Sequence, residues 1–201
     1  MSNSTTKINI DKKNDHNLYD FDHTIYRGDS TIDLYVYSLI HNLNIAKYLP
    51  FQIYHFVLYI LGIEEKKIFK GNFLIFIKDI KDLDILINNF WSKNSKKIKS
   101  WYIQQKNKND IIISASPDFL LKTIATQLGC SALIATRVDI KTGKIIGENC
   151  YGQEKIHRLD LELPNANILS CYSDSYSDTP ILKRSKKAFF VKGDKITRIK
   201  V

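Results

Sequence analysis

The chain has 201 residues and a formal net charge of +9, from 30 lysine and arginine residues against 21 aspartate and glutamate residues. Hydrophobic residues make up 44% of it, which excludes a chain too polar to form a core and fits one core domain that carries an insertion. Its three cysteines form no C-x-x-C pair or His/Cys cluster, so neither a zinc site nor a disulfide framework is indicated.

The N-terminal stretch is polar, and we predict that residues 1–15 form a disordered tail. The stretch lacks the apolar core of a signal peptide. We therefore expect a cytoplasmic protein with reduced cysteines.

The segment LYDFDHTIYRGDST, residues 18–31, places Asp20 and Asp22 directly after a short apolar run that is predicted to be a buried strand. Like charges at ~4 Å and an effective dielectric constant of ~20 repel by about 4 kcal/mol. A divalent cation removes that cost, and a set of oxygen ligands suits Mg²⁺. The alternative for such a pair is a plain turn with a helix cap.

From Thr31 to about Asn109 the apolar residues recur at helical spacing, and we predict an all-helical insertion over residues 32–108. Its most apolar part, residues 48–63, is shorter than the ~18 to 20 residues that a membrane-spanning helix needs. This part also holds Pro50, Gln52 and His55. We interpret it as a helix of a small helical subdomain rather than an interfacial membrane segment, and a membrane partner is not expected.

Strands and helices alternate from residue 109 onward. DIIISAS, NILSCYS and KAFFVKG are predicted strands, ALIATRVDI leads into a predicted hairpin, and helices follow Pro117 and begin near Gln153. This alternation predicts an α/β core, residues 16–31 and 109–201, built on a parallel sheet.

Polar side chains follow several of these strands. In open α/β sheets, ligands bind at the carboxyl ends of the strands. Residues from distant parts of the chain are therefore expected to converge there: Asp20, Asp22, Ser114, Lys155, Asp174 and Asp178.

Four motifs in this order resemble those of the haloacid dehalogenase superfamily. DFDHT is similar to its Asp-x-Asp-x-Thr motif, IIIS to its second motif, YGQEK to its lysine motif and SDSYSD to its acidic motif. The helical insertion resembles the cap of the phosphoserine-phosphatase-like branch. The resemblance implies a three-layer, Rossmann-like fold and a Mg²⁺-dependent phosphatase that hydrolyses a small phosphorylated metabolite through an aspartyl-phosphate.

The resemblance also implies a role for each matching residue. Asp20 would be the nucleophile, and Asp22 the general acid and then base. Asp20, Asp174 and the backbone carbonyl of Asp22 would hold the metal, with Asp178 as a further ligand or just behind it. Ser114 and Lys155 would bind the phosphoryl oxygens, and Thr24 would brace the loop.

Substrate contacts are expected from residues around these motifs. Asp29 lies where that branch carries a glutamate that binds the substrate's amino group, and Ala115 lies where a glycine is usual. Tyr26 and Arg27 are expected at the substrate entrance. The remaining candidates are Ser177 beside the acidic motif and, for a substrate carboxylate, Lys67 and Lys70.

Other functions stay open at this point. The same site suits a phosphotransferase or, given the apolar residues 48–63, a lipid-phosphate phosphatase. The basic charge suits a non-enzymatic protein that binds nucleic acid or other anions. The lysines are scattered without a helical basic stripe, however, so we expect no nucleic-acid partner. The sequence gives no prediction of oligomeric state.

Overall fold

A computed structural model describes residues 15–201. The predicted disordered tail lies outside the described residues, except for Asp15, which is already the first residue of a strand. Six strands form one sheet in the order β3-β2-β1-β4-β5-β6. Their bounds are β1 Asp15–Tyr19, β2 Asp110–Pro117, β3 Ala132–Thr136, β4 Asn167–Ser173, β5 Lys187–Lys192 and β6 Lys195–Ile199.

The first five strands pair in parallel, and helices cover both faces of the sheet. This confirms the predicted three-layer, Rossmann-like α/β fold. The helices after β2 are α6 Asp118–Leu128, α7 Gln153–Glu162 and α8 Thr179–Leu182.

Consecutive residues of each strand point to opposite faces, which makes two separate cores. Tyr19 and Ile112 pack with α6 on one face, and Leu18 and Ile111 pack with α7 and α8 on the other. Because both faces of the central strands are covered, these strands read in the sequence as continuous apolar runs.

Helices fill the long connection between β1 and β2, as the sequence predicts. They are α1 Ser30–His41, α2 Leu49–Ile60, α3 Lys66–Phe73, α4 Leu83–Asn94 and α5 Ser100–Gln105. The division of the chain into a helical cap, residues 32–108, and a catalytic core stays a prediction.

The segment after Asp82 has helical apolar spacing throughout, but the structure divides it into α4 and α5. At the break, Ile98 forms a bridge with Tyr26, and the Lys99 backbone N–H donates to the Ile25 carbonyl over 2.8 Å. The Lys99 ammonium also donates to the carbonyls of His23 and Gly193. These contacts with the β1 loop interrupt the helix in a segment whose apolar spacing is helical.

One further strand, β6, follows the predicted strand KAFFVKG, which is β5. β6 pairs antiparallel with β5 through a two-residue turn in which Gly193 has φ +60°. β6 is mostly exposed, so it lacks the apolar run by which the other strands are recognised. The hairpin predicted after β3 is reduced to one bridge, between Val138 and Ile145.

Candidate active site

The loop after β1 is held by a buried aromatic side chain between the two aspartates. Phe21 is fully buried and packs against Tyr26 and Trp91, with ring centroids 5.6 and 5.9 Å away. Its carbonyl accepts hydrogen bonds from the backbone N–H groups of Ile25 and Tyr26, both at 3.0 Å. Tyr26 is therefore a core residue, and its expected place at the substrate entrance is wrong.

Lys155, at the start of α7, joins two carboxylates. Its Nζ atom lies 2.7 Å from Oδ1 of Asp20 and 2.7 Å from Oδ2 of Asp178. The Ser173 hydroxyl also donates to Asp178, over 2.7 Å. All four side chains are almost completely removed from solvent. The ammonium therefore neutralises carboxylates that would otherwise repel each other in a medium of low dielectric constant.

The ionisation of this cluster follows from its burial. Burial raises the pKa of Asp20 to about 7, and the nearby Lys155 ammonium opposes that rise. Burial by itself lowers the pKa of Lys155, but Asp20 and Asp178 outweigh it and raise this pKa above its ordinary value. The lysine therefore stays charged, while Asp20 depends on nearby positive charge to stay ionised at neutral pH.

Thr24 brings a third carboxylate to the site. Its hydroxyl oxygen lies 3.1 Å from Oδ2 of Asp20 and 3.3 Å from Oδ1 of Asp174, and it accepts a 3.0 Å hydrogen bond from the Asp174 backbone N–H. The structure thus brings the ends of β1 and β4 together around one hydroxyl group.

The Asp22 carboxylate is held away from this cluster. Its Oδ1 accepts from the Ser30 backbone N–H over 2.7 Å, and its Oδ2 accepts from the Ser116 hydroxyl. Burial, and then the nearby Asp29, raise the pKa of Asp22 to about 6, while the hydrogen bonds from Ser116 and Ser30 lower it. A carboxyl group with this pKa both donates and accepts a proton near neutral pH.

The Asp20 and Asp174 carboxylates meet at the Thr24 hydroxyl and are the candidate ligands for a cation. Both carboxylates lie within 3.3 Å of the Thr24 hydroxyl, and all the candidate ligands are oxygen atoms, which suits Mg²⁺. The Asp22 side chain instead contacts Ser30 and Ser116. Within residues 15–201 no three His, Cys, Asp or Glu side chains cluster as a metal site. A cation here would therefore need backbone and water oxygens beside the two carboxylates.

Two serines of β2 have different contacts. The buried Ser114 hydroxyl accepts from the Ser116 backbone N–H over 3.0 Å. Ser116 contacts Asp22 and also lies 3.0 Å from the Thr31 hydroxyl. The similarity of IIIS to the second family motif predicts a role for Ser114 and none for Ser116. Local sequence does not tell which of two alternating hydroxyls meets a distant carboxylate.

The two lysines of α3 that are candidates for substrate binding have different contacts. Lys70 is the one that reaches the site, where its ammonium donates to the Ala115 carbonyl. Burial lowers the pKa of Lys70 to about 8, although the nearby Asp22 and Asp29 favour its charged form. Lys67 instead pairs with Glu148 at 2.6 Å on the surface. Ala115 thus contributes its backbone carbonyl here, which also accepts from Thr136 over 2.7 Å.

The other expected substrate residues lie apart from one another. Asp29 caps α1 by accepting from the Ile32 N–H over 2.9 Å, and it lines a pocket of about 160 Å³ together with Lys70. Arg27 pairs with Asp194 at 3.0 Å and faces a different groove, which Asp174 also lines. Ser177 is engaged in a local turn, with its hydroxyl 2.7 Å from that of Ser175.

Comparison with known proteins places this arrangement in a family. The model of the haloacid dehalogenase-like hydrolases matches residues 18–183. Protein CicA of Caulobacter vibrioides is 35% identical over 78 residues, which span 36% of this chain and 35% of CicA. Phosphoserine phosphatase SerB1 of Mycobacterium tuberculosis is 35% identical over 79 residues, 35% of this chain and 26% of SerB1. The match thus spans about a third or less of the length of these relatives.

A solved structure is similar over most of the fold. A protein of unknown function from Bordetella pertussis Tohama I superposes with a TM-score of 0.72 at 18% identity, covering 87% of this chain and 88% of that one. The likeness supports the fold alone. The family model, which matches residues 18–183 and hence more than half of the chain, shows that the chain belongs to the haloacid dehalogenase-like hydrolases.

Proposed function

We propose that this protein is a Mg²⁺-dependent phosphatase that hydrolyses small phosphate monoesters through an aspartyl-phosphate on Asp20. The observation that carries the proposal is the separation of two carboxylates: Asp20 is paired with Lys155 and Asp22 is held apart by Ser116. The Lys155 ammonium favours the ionised form of Asp20, whose pKa burial raises to about 7, and a bound Mg²⁺ would favour that form further. Asp22, which is bound by Ser116 and Ser30 instead, has a pKa of about 6. A nucleophile and a separate proton donor are what the two steps of this reaction require.

In the first step a carboxylate oxygen of Asp20 attacks phosphorus, and the bond from phosphorus to the substrate oxygen breaks. Asp22 gives its proton to the leaving alcohol. In the second step Asp22 takes a proton from water as the water oxygen attacks phosphorus, and Asp20 is released with inorganic phosphate. Lys155 and the Ser114 hydroxyl bind phosphoryl oxygens during both steps.

Asp20, Asp174 and the backbone carbonyl of Asp22 would hold Mg²⁺, with Asp178 behind them. When bound, the ion supplies positive charge that screens the phosphoryl group from Asp20. Thr24 orients both carboxylates toward the same position. Asp29 and Lys70 would contact the part of the substrate beyond the phosphate, and the pocket of about 160 Å³ that they line supports a small metabolite.

The experiment is hydrolysis of an aryl phosphate with Mg²⁺, followed by acid quenching to trap phosphate on the protein. We expect Asp20→Asn to abolish both turnover and labelling, because an amide is not a nucleophile at phosphorus. Asp160→Asn is the matched control, since Asp160 lies in an exposed pair with Arg184 at 3.3 Å on α7. Turnover that survives Asp20→Asn, or label on another residue, contradicts the proposal.

A further inference from the structure

Helix α2 has its polar and apolar residues in the opposite arrangement to a normal surface helix. The segment LPFQIYHFVLYI contains no acidic, lysine or arginine residue, yet its one buried residue is Gln52. The Gln52 side chain accepts a 2.5 Å hydrogen bond from the Tyr35 hydroxyl and donates over 2.8 Å to the Phe73 carbonyl. The polar group of the helix is therefore satisfied inside the protein.

The side of α2 that faces the protein continues this polar character. His55 Nδ1 lies 2.5 Å from Glu64, and the Asn72 side chain donates to Glu64 over 3.1 Å. Large apolar side chains occupy the opposite side of the helix and are exposed to solvent. We call this side the outer face of α2, and it consists of Ile53, Tyr54, Phe56, Val57, Ile60 and Leu61.

An exposed contiguous apolar patch on a folded protein marks a surface that another body covers. Helix α3 packs beside α2, with the Phe69 ring centroid 5.8 Å from that of Phe56 and 5.0 Å from that of Tyr59. The six side chains of the outer face are nevertheless 46% to 65% exposed. The outer face is continuous along the helix because Ile53, Val57 and Ile60 recur at spacings of four and three residues.

The charge of the chain indicates what covers the face. A second copy would bring another net charge of +9 against the first, and repulsion opposes such a pair. An anionic lipid surface attracts the same charge. Lys66 opens α3 just after α2 and is exposed beside the exposed Glu65, while the Glu64 carboxylate is turned inward to His55. Lys47 lies just before α2 and is also exposed, although its ammonium pairs with Asp79.

Although the sequence alone predicts no membrane partner, we propose from the exposure of these side chains that the outer face of α2 docks this protein onto anionic lipid membranes. The helix would lie in the interface with its apolar side chains among the acyl chains and the flanking lysines near the headgroups. Tyr54 and Phe56 suit the boundary between headgroup and acyl regions. Such docking needs no spanning segment, and none of the helices within residues 15–201 is long and apolar enough to cross a membrane.

The pocket beside the carboxylates adjoins this helix. Tyr59 of α2 lines it together with Phe69, Asp29 and Lys70. The Thr31 hydroxyl, another lining group, lies 3.0 Å from Ser116, which contacts Asp22. Docking through α2 would therefore hold the pocket close to the lipid surface.

The test is flotation of the full chain with lipid vesicles, which needs no enzymatic activity. We expect binding to phosphatidylcholine vesicles that contain one third phosphatidylglycerol, and weaker binding to phosphatidylcholine alone or at high salt. The double variant Ile53→Glu, Ile60→Glu replaces residues that are 57% and 64% exposed, so it leaves the core intact. We expect it to lower the bound fraction about tenfold or more, because charged groups do not enter the acyl region.

The matched control adds the same two charges elsewhere. Ile85 on α4 and Leu161 on α7 are 60% and 68% exposed, and the control Ile85→Glu, Leu161→Glu should float nearly as well as the unchanged chain. Circular dichroism and melting temperature check that both variants fold. Equal flotation of the two variants, or no flotation of the unchanged chain, overturns the proposal. The proposal is also overturned if the unchanged chain binds no vesicles but forms a dimer in sedimentation velocity, and the α2 variant does not form that dimer.

Discussion

The Nζ atom of Lys155 lies 2.7 Å from Oδ1 of Asp20, although the two residues are 135 positions apart in the chain. The same ammonium contacts Asp178, so one buried cation serves two buried carboxylates. Breaking a buried ion pair from one side leaves an uncompensated charge in the interior. This contact therefore affects both the stability of the fold and the ionisation of the proposed nucleophile.

Replacing Lys155 with methionine should destabilise the protein by about 3–5 kcal/mol at pH 8, because Asp20 and Asp178 lose their cation. Without the lysine the folded-state pKa of Asp20 rises further above its unfolded value. The free energy of unfolding is then reduced at high pH, and the deficit shrinks as pH falls and the Asp20 carboxyl becomes protonated in the folded state. Urea unfolding of both proteins at pH 5.5 and pH 8 measures this. A deficit that is the same at both pH values contradicts the assignment.

Replacing Thr24 with valine keeps the shape of the side chain but removes the hydroxyl between Asp20 and Asp174. The Asp174 N–H then loses its acceptor, and we expect a loss of about 1–3 kcal/mol in unfolding free energy. We also expect a higher Mg²⁺ concentration for half-maximal phosphatase activity, since the two carboxylates lose their common partner. Thr24→Ser should restore both properties. A Mg²⁺ dependence unchanged by Thr24→Val means that the hydroxyl does not orient the metal ligands.

Hydrolysis of an alkyl phosphate should depend on the protonated form of Asp22. At saturating Mg²⁺, whose charge favours the ionised form of Asp20, the rate should follow the protonated fraction of Asp22. With a pKa of about 6 that fraction falls as pH rises above this value, and the alkyl phosphatase rate should fall with it. The hydrogen bond from Ser116 lowers this pKa, so Ser116→Ala should move the decline to higher pH. Ser114→Ala should instead weaken inhibition by inorganic phosphate and leave the decline where it is. Rate–pH profiles of the three proteins distinguish these results.

The buried Lys70 should destabilise the folded protein at neutral pH. Its folded-state pKa of about 8 lies below its ordinary value of 10.5, so burying the charged form is unfavourable. We expect Lys70→Met to stabilise the protein by about 1–3 kcal/mol at pH 7. As pH rises from 8 to 10.5, the free energy of unfolding of the unchanged protein should increase relative to that of the variant. Over this range Lys70 has lost its proton in the folded state but still carries it in the unfolded state.

The same variant should bind substrate less well if Lys70 contacts it. We expect a higher KM with a smaller change in kcat, measured with a panel of phosphorylated metabolites. Lys67→Met is the matched control, since Lys67 lies on the same helix and pairs with Glu148 at the surface. If Lys70→Met is less stable than the unchanged protein at pH 7, burial of the charged lysine is not destabilising. If the KM is unchanged, Lys70 does not contact the substrate.

The sequence by itself determined the α/β fold and the order of its catalytic motifs. Apolar runs such as those before Asp20 and Asp174 predict buried strands, and parallel strands align their carboxyl ends at one edge of a sheet. That rule places Asp20, Lys155 and Asp174 together without any knowledge of individual contacts, and the structure brings them together.

Only the tertiary structure decided which groups touch. It placed Ser116 rather than Ser114 on Asp22, brought Lys70 rather than Lys67 to the site, and turned the apolar side of α2 outward around a buried Gln52. Neighbouring residues with the same chemistry differ in side-chain direction, and that direction depends on packing between elements far apart in the chain. Local periodicity reports how apolar a face is, whereas the elements that fold against it determine whether that face is buried.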